Sequence, residues 1–246
     1  MAERTEKRAE LFEHLAELRT RLVRSLAYIA GGMVVAYFLY DPIYELLMRP
    51  IMPVLIAHES KPTFLNIVEP FMLKVQVTLV AGLILVSPLV TIEMWRFISP
   101  GLTKSEKRPL RWMVPLSIFL FAAGASLCYW VLPYAFKWFA SFLPKDAAIM
   151  QSVPANMRFE LLMLLAFGCA FELPVVLMLL AQIGIVNSKM LKDNWRYSVV
   201  AIAVLAAMFT PSNDVLSMMT MAVPMVVLYL ASIWLVKLVE RKPGRE

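Results

Sequence analysis

Long apolar stretches separated by short charged segments dominate the chain from residue 22 onward. A helix needs roughly 20 apolar residues to cross a bilayer, with about 17 as the usual lower limit. By this criterion the sequence predicts an all-α polytopic membrane protein with six spans, of which the fifth is short. The spans are predicted at about 22–40, 73–93, 112–136, 159–186, 196–211 and 215–236, within a single integral membrane domain covering residues 1–246.

The segment before the first span, residues 1–21, has a different pattern. Leucines recur at three- and four-residue steps along one helical face, and charged residues occupy the other faces. The leucines are Leu11, Leu15, Leu18 and Leu22, and the charged residues are Glu13, Glu17, Arg21 and Arg24. We predict an amphipathic helix on the cytoplasmic side. Taken alone, its spacing favours a structural role in which the arginines orient the protein and Glu17 pairs with Arg21.

The composition excludes an ordinary soluble domain. The chain is 60% hydrophobic and only 17% charged, whereas soluble domains are nearer half apolar and a quarter charged. The formal charge of +6 does not indicate nucleic-acid binding, because the basic residues lie at the ends of apolar runs and not in a stripe with aromatic residues.

The distribution of basic residues predicts which way the spans point. Of the 24 lysines and arginines, eighteen fall on the side that carries both termini and six on the other side. Short cytoplasmic loops carry the excess of positive charge. We therefore expect both termini in the cytoplasm and two longer outer connections, at about 41–74 and 137–158, with short interfacial helices in the first.

Glu172 is the one ionisable residue that the pattern places between apolar runs. An unpaired carboxylate in lipid is costly, so the default hypothesis is a functional residue facing the bundle interior or a water-filled cavity. The alternative is a structural hydrogen bond to a neighbouring helix. A proton-coupled small-solute transporter using Glu172 is the competing function, although the chain shows no internal repeat of the kind found in many transporters.

The sequence offers little for catalysis or metal binding. The two histidines, His14 and His58, are predicted on opposite sides of the membrane, and Cys128 and Cys169 lie in apolar runs. No phosphate loop, nucleophile elbow or zinc motif occurs. We predict neither enzymatic activity nor a cofactor or metal.

Several motifs occur in an order that resembles one membrane protein family, the TatC family of the twin-arginine protein translocase, over nearly the whole chain. They are H-L-A-E-L-R-T-R-L at 14–22, S-P at 87–88, W-R-F-I-S-P-G-L at 95–102, S-E-K-R at 105–108, F-G-C-A-F-E-L-P at 167–174, and T-P at 210–211 with Asp214.

The resemblance implies a six-helix, glove-shaped protein of the cytoplasmic (inner) membrane that binds twin-arginine signal peptides of folded cargo. It implies export driven by the proton-motive force, with single-span TatA- and TatB-type partners and further copies of this chain. Glu17 and Glu106 would contact the arginine pair, supported by Arg19, Pro50 and Phe97, and Glu172 would line the concave face. These implied roles outweigh the structural interpretation of the N-terminal helix.

The resemblance also suggests roles at the last outer turn, where Asp214 and Met218 are candidates for partner contacts. The chain departs from the family there and elsewhere. The family often has glutamine where Glu93 and Met218 stand, and an acid where Leu230 stands. These departures concern partner docking in the last two spans more than the signal-peptide site.

Overall fold

The computed structural model describes residues 2–99, 107–142, 144, 151–210 and 214–239; at 2–13, 107–110, 151, 209 and 216 only the backbone is described. The described chain is almost entirely helical. The helices are α1 (Ala2–Phe38), α2 (Tyr40–Met48), α3 (Met52–Ala57), α4 (Glu69–Ile98), α5 (Lys107–Ala140), α6 (Val153–Ala170), α7 (Leu173–Gln182), α8 (Ser188–Asp193), α9 (Trp195–Phe209) and α10 (Val215–Val239). Two short strands, β1 (Pro62–Thr63) and β2 (Gln151–Ser152), pair in parallel.

Five helical segments of the described chain are long and apolar enough to cross a membrane. They are His14–Phe38, Glu69–Ile98, Arg111–Ala140, Val153–Gln182 and Ser217–Val239, and Trp195–Met208 is a shorter apolar helix. Together they correspond in order to the six predicted spans. The amphipathic segment and the first span form one continuous helix, α1.

The helices differ in how much they face lipid. Only 11% of the most apolar window of His14–Phe38 is buried inside the protein, against 56% for Val153–Gln182. The α6–α7 segment therefore lies at the centre of the bundle and α1 at its periphery, with large side chains such as Phe38 on the outside. α1 packs on α4, α5 on α6, and α7 on α10.

The connection between α1 and α4 folds into the two short helices α2 and α3, as the sequence predicts. Leu47, Met48 and Leu55 are buried against the bundle. The Tyr129 hydroxyl on α5 donates a 2.9 Å hydrogen bond to the Leu46 carbonyl, which fixes α2 over the span. The ladder between β1 and β2 joins this connection to the one that precedes α6, with Pro62 opposite Gln151.

The fourth span is interrupted between α6 and α7. Pro174 lies at the start of α7 and lacks an N–H, so it cannot donate to the Ala170 carbonyl at the end of α6. Glu172 stands at the break, and its carbonyl accepts the backbone N–H groups of Val175 and Val176 to begin α7. The break lies within the fourth span, beside the Glu172 carboxyl group.

Candidate functional site

Four charged side chains from α1 and α4 form a cluster near one end of these helices. Arg21 donates one hydrogen bond to Glu93 over 2.9 Å and another to Glu17 over 3.1 Å. Arg96 donates to the other oxygen of Glu93 over 3.2 Å. The Glu93 side chain is 2% exposed, whereas that of Glu17 is 27% exposed. Glu93 is thus the buried anchor of this charged cluster, and Glu17 is its accessible acid.

A close approach of α1 and α4 sets the register of the cluster. A Cβ on Gly32 would lie 2.7 Å from the Gly82 carbonyl oxygen, so only glycine permits the observed contact. Arg21 lies 11 residues before Gly32 (32 − 21) and Glu93 lies 11 residues after Gly82 (93 − 82). Eleven residues span about 16.5 Å and three helical turns, so on antiparallel helices both side chains return to the same level and the same face. The glycine contact therefore places Arg21 opposite Glu93.

An aromatic pair adjoins the charged cluster. The rings of His14 on α1 and Phe97 on α4 stack at 4.5 Å between centroids, with an interplanar angle of 20°. Both residues belong to segments that the sequence analysis singled out. The stack provides a flat aromatic surface near Glu17, which lies one helical turn after His14.

The structure brings together some of the predicted peptide-binding residues. Glu17, Arg19 and Phe97 lie at the same end of α1 and α4, and Arg19 is exposed. Pro50 is buried in the turn between α2 and α3, beyond the opposite end of α1. The 21 residues from Glu17 to Phe38 (38 − 17) separate the two ends by about 31 Å. Glu106 lies outside the described residues, so the predicted pairing of Glu17 with Glu106 stays a prediction.

Glu172 has a partner on a neighbouring span. The Ser117 hydroxyl on α5 donates a 2.6 Å hydrogen bond to one Glu172 carboxylate oxygen. Ser117 is fully buried and Glu172 is partly buried. This contact is the one that the structural alternative requires, but it leaves the second carboxylate oxygen with no hydrogen-bond partner among the described residues, so the functional role of Glu172 stays a prediction.

Glu172 is not the only buried carboxyl group in the described spans. Glu160 on α6 is 0% exposed, and neither of its oxygens has a hydrogen-bond partner within the described part of the chain. The sequence pattern does not single out Glu160, which lies at the edge of the predicted span 159–186, just after the predicted connection 137–158. Its helical spacing was the missed signal: Val153, Met157, Glu160 and Leu164 fall on one buried face of α6.

The turn that precedes α10 has a clear structural feature. The Asp214 carboxylate accepts a 2.7 Å hydrogen bond from the Ser217 backbone N–H, which caps the start of α10. Met218 is partly buried in the first turn of that helix. Capping accounts for one oxygen of Asp214, and the partner-contact role of both residues stays a prediction.

These features define a polytopic α-helical membrane protein with a charged cluster at one end of its bundle and a broken central span. The sequence model of the family described as "Sec-independent protein translocase protein (TatC)" matches residues 13–224. The chain belongs to the TatC family.

Relatives and solved structures agree with this membership. The chain is 38% identical to the Sec-independent protein translocase protein TatC of Desulforapulum autotrophicum, over 94% of this chain and 85% of that protein. It is 34% identical to the protein of the same name from Carboxydothermus hydrogenoformans, over 96% of each chain. A crystal structure of "Twin Arginine Translocase Receptor- TatC" superposes with a TM-score of 0.77 at 35% identity, covering 93% of this chain and all of the other.

Family membership decides between the functions that the sequence left open. The chain is a core component of the twin-arginine translocase and not an enzyme, and the small-solute transporter hypothesis has no support. It is a multi-pass membrane protein.

Proposed function

We propose that this protein is the receptor for twin-arginine signal peptides and that Glu17 receives one arginine of the pair, with Glu106 receiving the other. The observation that carries the proposal is the division of charge in the charged cluster. Arg21 pairs with the buried Glu93, with 2.9 Å between its Nη1 and Oε2 of Glu93. Its Nη2 also contacts Glu17, but only through Oε1, over 3.1 Å. Glu17 therefore keeps an oxygen, Oε2, that has no hydrogen-bond partner among the described residues.

The chemistry of the ligand fits this arrangement. A guanidinium group presents a planar fork of donors that binds carboxylates bidentately, and a lysine ammonium group does not reproduce that geometry. An incoming arginine side chain can displace Arg21 from Glu17 while Arg21 stays bound to Glu93. The His14–Phe97 stack offers a flat aromatic surface beside it for the peptide chain. The site should thus prefer twin arginine over twin lysine.

The proposal extends to the assembly and its membrane. We propose that the chain lies in the cytoplasmic (inner) membrane with both termini in the cytoplasm, supported by the eighteen basic residues on that side. It works with TatA- and TatB-type single-span proteins and with further copies of itself, and the proton-motive force drives export of folded cargo. Glu172 contributes within the membrane and Pro50 from the outer side.

Peptide binding to the purified full chain in detergent tests the receptor role. Truncating one partner of a desolvated charged pair costs on the order of 2 to 5 kcal/mol, so Glu17→Ala and Glu106→Ala should each weaken binding tens-fold or more. The two changes together should be less than additive. The matched control is Glu45→Ala, which removes an exposed carboxylate from α2 at the opposite end of α1 and should leave binding unchanged. Wild-type affinity and arginine preference in both glutamate variants would show that the site is wrong.

Cysteine labelling in a variant without Cys128 and Cys169 tests the orientation. An impermeant reagent added from outside should label cysteines introduced at His58, Asp146 and Asn213. It should not reach cysteines at Ser105 or Lys242 until the membrane is opened. Labelling of Ser105→Cys in sealed cells would overturn the proposed orientation.

A further inference from the structure

A cavity of about 550 Å³ lies between α8, the start of α9 and the end of α10. Its volume is within the range of small-molecule sites, which is about 300 to 1,000 Å³. Three lysines contribute to its lining, Lys189 and Lys192 from α8 and Lys237 from α10, together with Trp195 and Trp234. Because successive spans alternate in direction, this lysine cavity is at the same end of the bundle as the charged cluster.

One wall of the cavity is a regular face of α10. Leu230, Ile233, Trp234 and Lys237 follow the i, i+3, i+4, i+7 spacing of one face of α10. Along that face the lining changes from apolar in the body of the span to cationic at its end. The bottom of the cavity is therefore suited to hydrocarbon and its mouth to a negative group.

Specific hydrogen bonds hold the opposite wall in place. The Asn187 side chain caps α8 by accepting the Met190 backbone N–H at 2.7 Å. The buried Tyr229 hydroxyl on α10 donates to the Leu191 carbonyl on α8 over 2.7 Å. These contacts fix α8 against α10, so the cavity is formed before any ligand binds.

The charges in the cavity are of one sign. None of its described lining residues is acidic, and the ion pairs of the described chain join Arg21 or Arg96 to Glu17 or Glu93, far along the sequence from these lysines. The like charges of the three lysines that line this space repel each other, and an anion bound among them would relieve that repulsion.

We propose that this cavity binds an anionic phospholipid, with the phosphate among Lys189, Lys192 and Lys237 and an acyl chain along Leu230 and Ile233. The combination of features favours a lipid over other anions. Tryptophans are enriched at the membrane–water boundary, where Trp195 and the largely exposed Trp234 stand. Basic pockets between spans at a membrane surface are suited to lipid headgroups, and the apolar lower wall gives an acyl chain a place that free phosphate would not use. The inference does not depend on peptide binding at Glu17.

Quenching of tryptophan fluorescence by brominated lipid tests the proposal directly. The full chain is placed in lipid nanodiscs that contain a small fraction of brominated phosphatidylglycerol in phosphatidylcholine, or of brominated phosphatidylcholine in phosphatidylglycerol. Each lysine near an anionic surface contributes about 1 kcal/mol to the attraction of anionic lipid. Brominated phosphatidylglycerol should therefore quench the tryptophans at a lipid fraction roughly tenfold or more lower than brominated phosphatidylcholine requires. The signal should fall in the double variant Trp195→Phe/Trp234→Phe, which identifies the reporting residues.

A matched pair of charge variants completes the experiment. The triple variant Lys189→Gln/Lys192→Gln/Lys237→Gln should lose most of the preference for the anionic lipid. The triple variant Lys61→Gln/Lys74→Gln/Lys137→Gln removes the same charge from the opposite end and should keep it. Excess inorganic phosphate should not displace the lipid.

Three results would overturn the proposal: equal quenching by both lipids, equal loss of lipid preference in the two triple variants, or displacement of the lipid by inorganic phosphate. The last result would indicate a site for a free anion. Protection of the tryptophans by an added partner protein, with no lipid preference, would assign the cavity to protein docking instead.

Discussion

Arg21 on α1 donates a 2.9 Å hydrogen bond to Glu93 on α4, across 72 residues of sequence. The two members of this pair are unequally exposed, since the side chain of Arg21 is 22% exposed and that of Glu93 only 2%. Removing one member therefore has different consequences from removing the other, because a charge that loses its partner is costly only where water cannot replace it.

Arg21→Ala should lower the melting temperature of the purified protein more than Glu93→Ala does. The first change leaves a buried carboxylate with Arg96 alone, whereas the second leaves a partly exposed guanidinium that still pairs with Glu17. The double variant Arg21→Ala/Glu93→Ala should lose less melting temperature than the two single variants lose in sum, since neither member of the pair is then left without the other. Arg24→Ala, which removes an exposed arginine one turn away, is the control and should change little. Equal effects of Arg21→Ala and Arg24→Ala would mean that the pair does not stabilise the fold.

Neighbouring glycines in α1 allow a second prediction with an internal control. Gly32→Ala should destabilise the protein by about 1 to 3 kcal/mol, because its Cβ would meet the Gly82 backbone and force α1 away from α4. Gly31→Ala meets nothing within 4 Å and should be neutral or slightly stabilising through its helix propensity. Thermal unfolding in detergent measures both.

The Gly32 variant should also affect the site. If the glycine contact sets the register of Arg21 and Glu93, then Gly32→Ala should weaken twin-arginine peptide binding and Gly31→Ala should not. A Gly32 variant that unfolds earlier yet binds peptide as the wild type does would separate helix packing from the charged cluster.

Helix periodicity and apolar length were sufficient to predict the spans, because in lipid the backbone must satisfy its own hydrogen bonds and only helices of a set length do so. The same signal predicted α2 and α3. The break before α7 has a weaker signal, since Phe171 and Glu172 continue an otherwise apolar run and only Pro174, a residue that kinks helices, marks the interruption.

The candidate site was less predictable for a different reason. The Glu17–Arg21 pair follows from i, i+4 spacing, but the anchor Glu93 comes from another helix and depends on the Gly32–Gly82 contact, which no local pattern encodes. Glu160, at the edge of the predicted span 159–186, was missed, although its spacing from Val153 and Met157 places it on the buried face.

Glu160 provides a prediction about stability. Its carboxyl group is fully buried and has no hydrogen-bond partner among the described residues, and burying a polar group without a partner costs about 1 to 3 kcal/mol. Glu160→Met keeps the unbranched shape and removes the polar atoms, so it should raise the melting temperature. Glu160→Gln keeps two polar atoms in the same place, so its melting temperature should rise much less than that of Glu160→Met. A lower melting temperature for Glu160→Met than for wild type would show that the carboxyl group has a stabilising partner.

The last prediction concerns Glu172 and its hydrogen bond to Ser117. Glu172 lies at the break within the central span, whereas the arginines of a signal peptide must stay near water, so we expect Glu172 to act in transport and not in peptide capture. Glu172→Ala should fold, bind a twin-arginine peptide normally and support little export of folded cargo in cells. Glu172→Gln retains an acceptor for the Ser117 hydroxyl but has no ionisable group, and Ser117→Ala removes the 2.6 Å hydrogen bond but keeps the carboxyl group.

These two variants separate the two roles of the residue. If the carboxyl group itself is needed, Glu172→Gln should be as defective in export as Glu172→Ala, and Ser117→Ala should retain most of its activity. If the residue only ties α7 to α5, Glu172→Gln should export normally while Ser117→Ala and Glu172→Ala lose melting temperature by similar amounts. Export assays on membranes with an imposed proton-motive force, alongside peptide binding and thermal unfolding of the same variants, distinguish these outcomes. Normal export by Glu172→Ala would exclude a role in transport and leave the residue structural or idle.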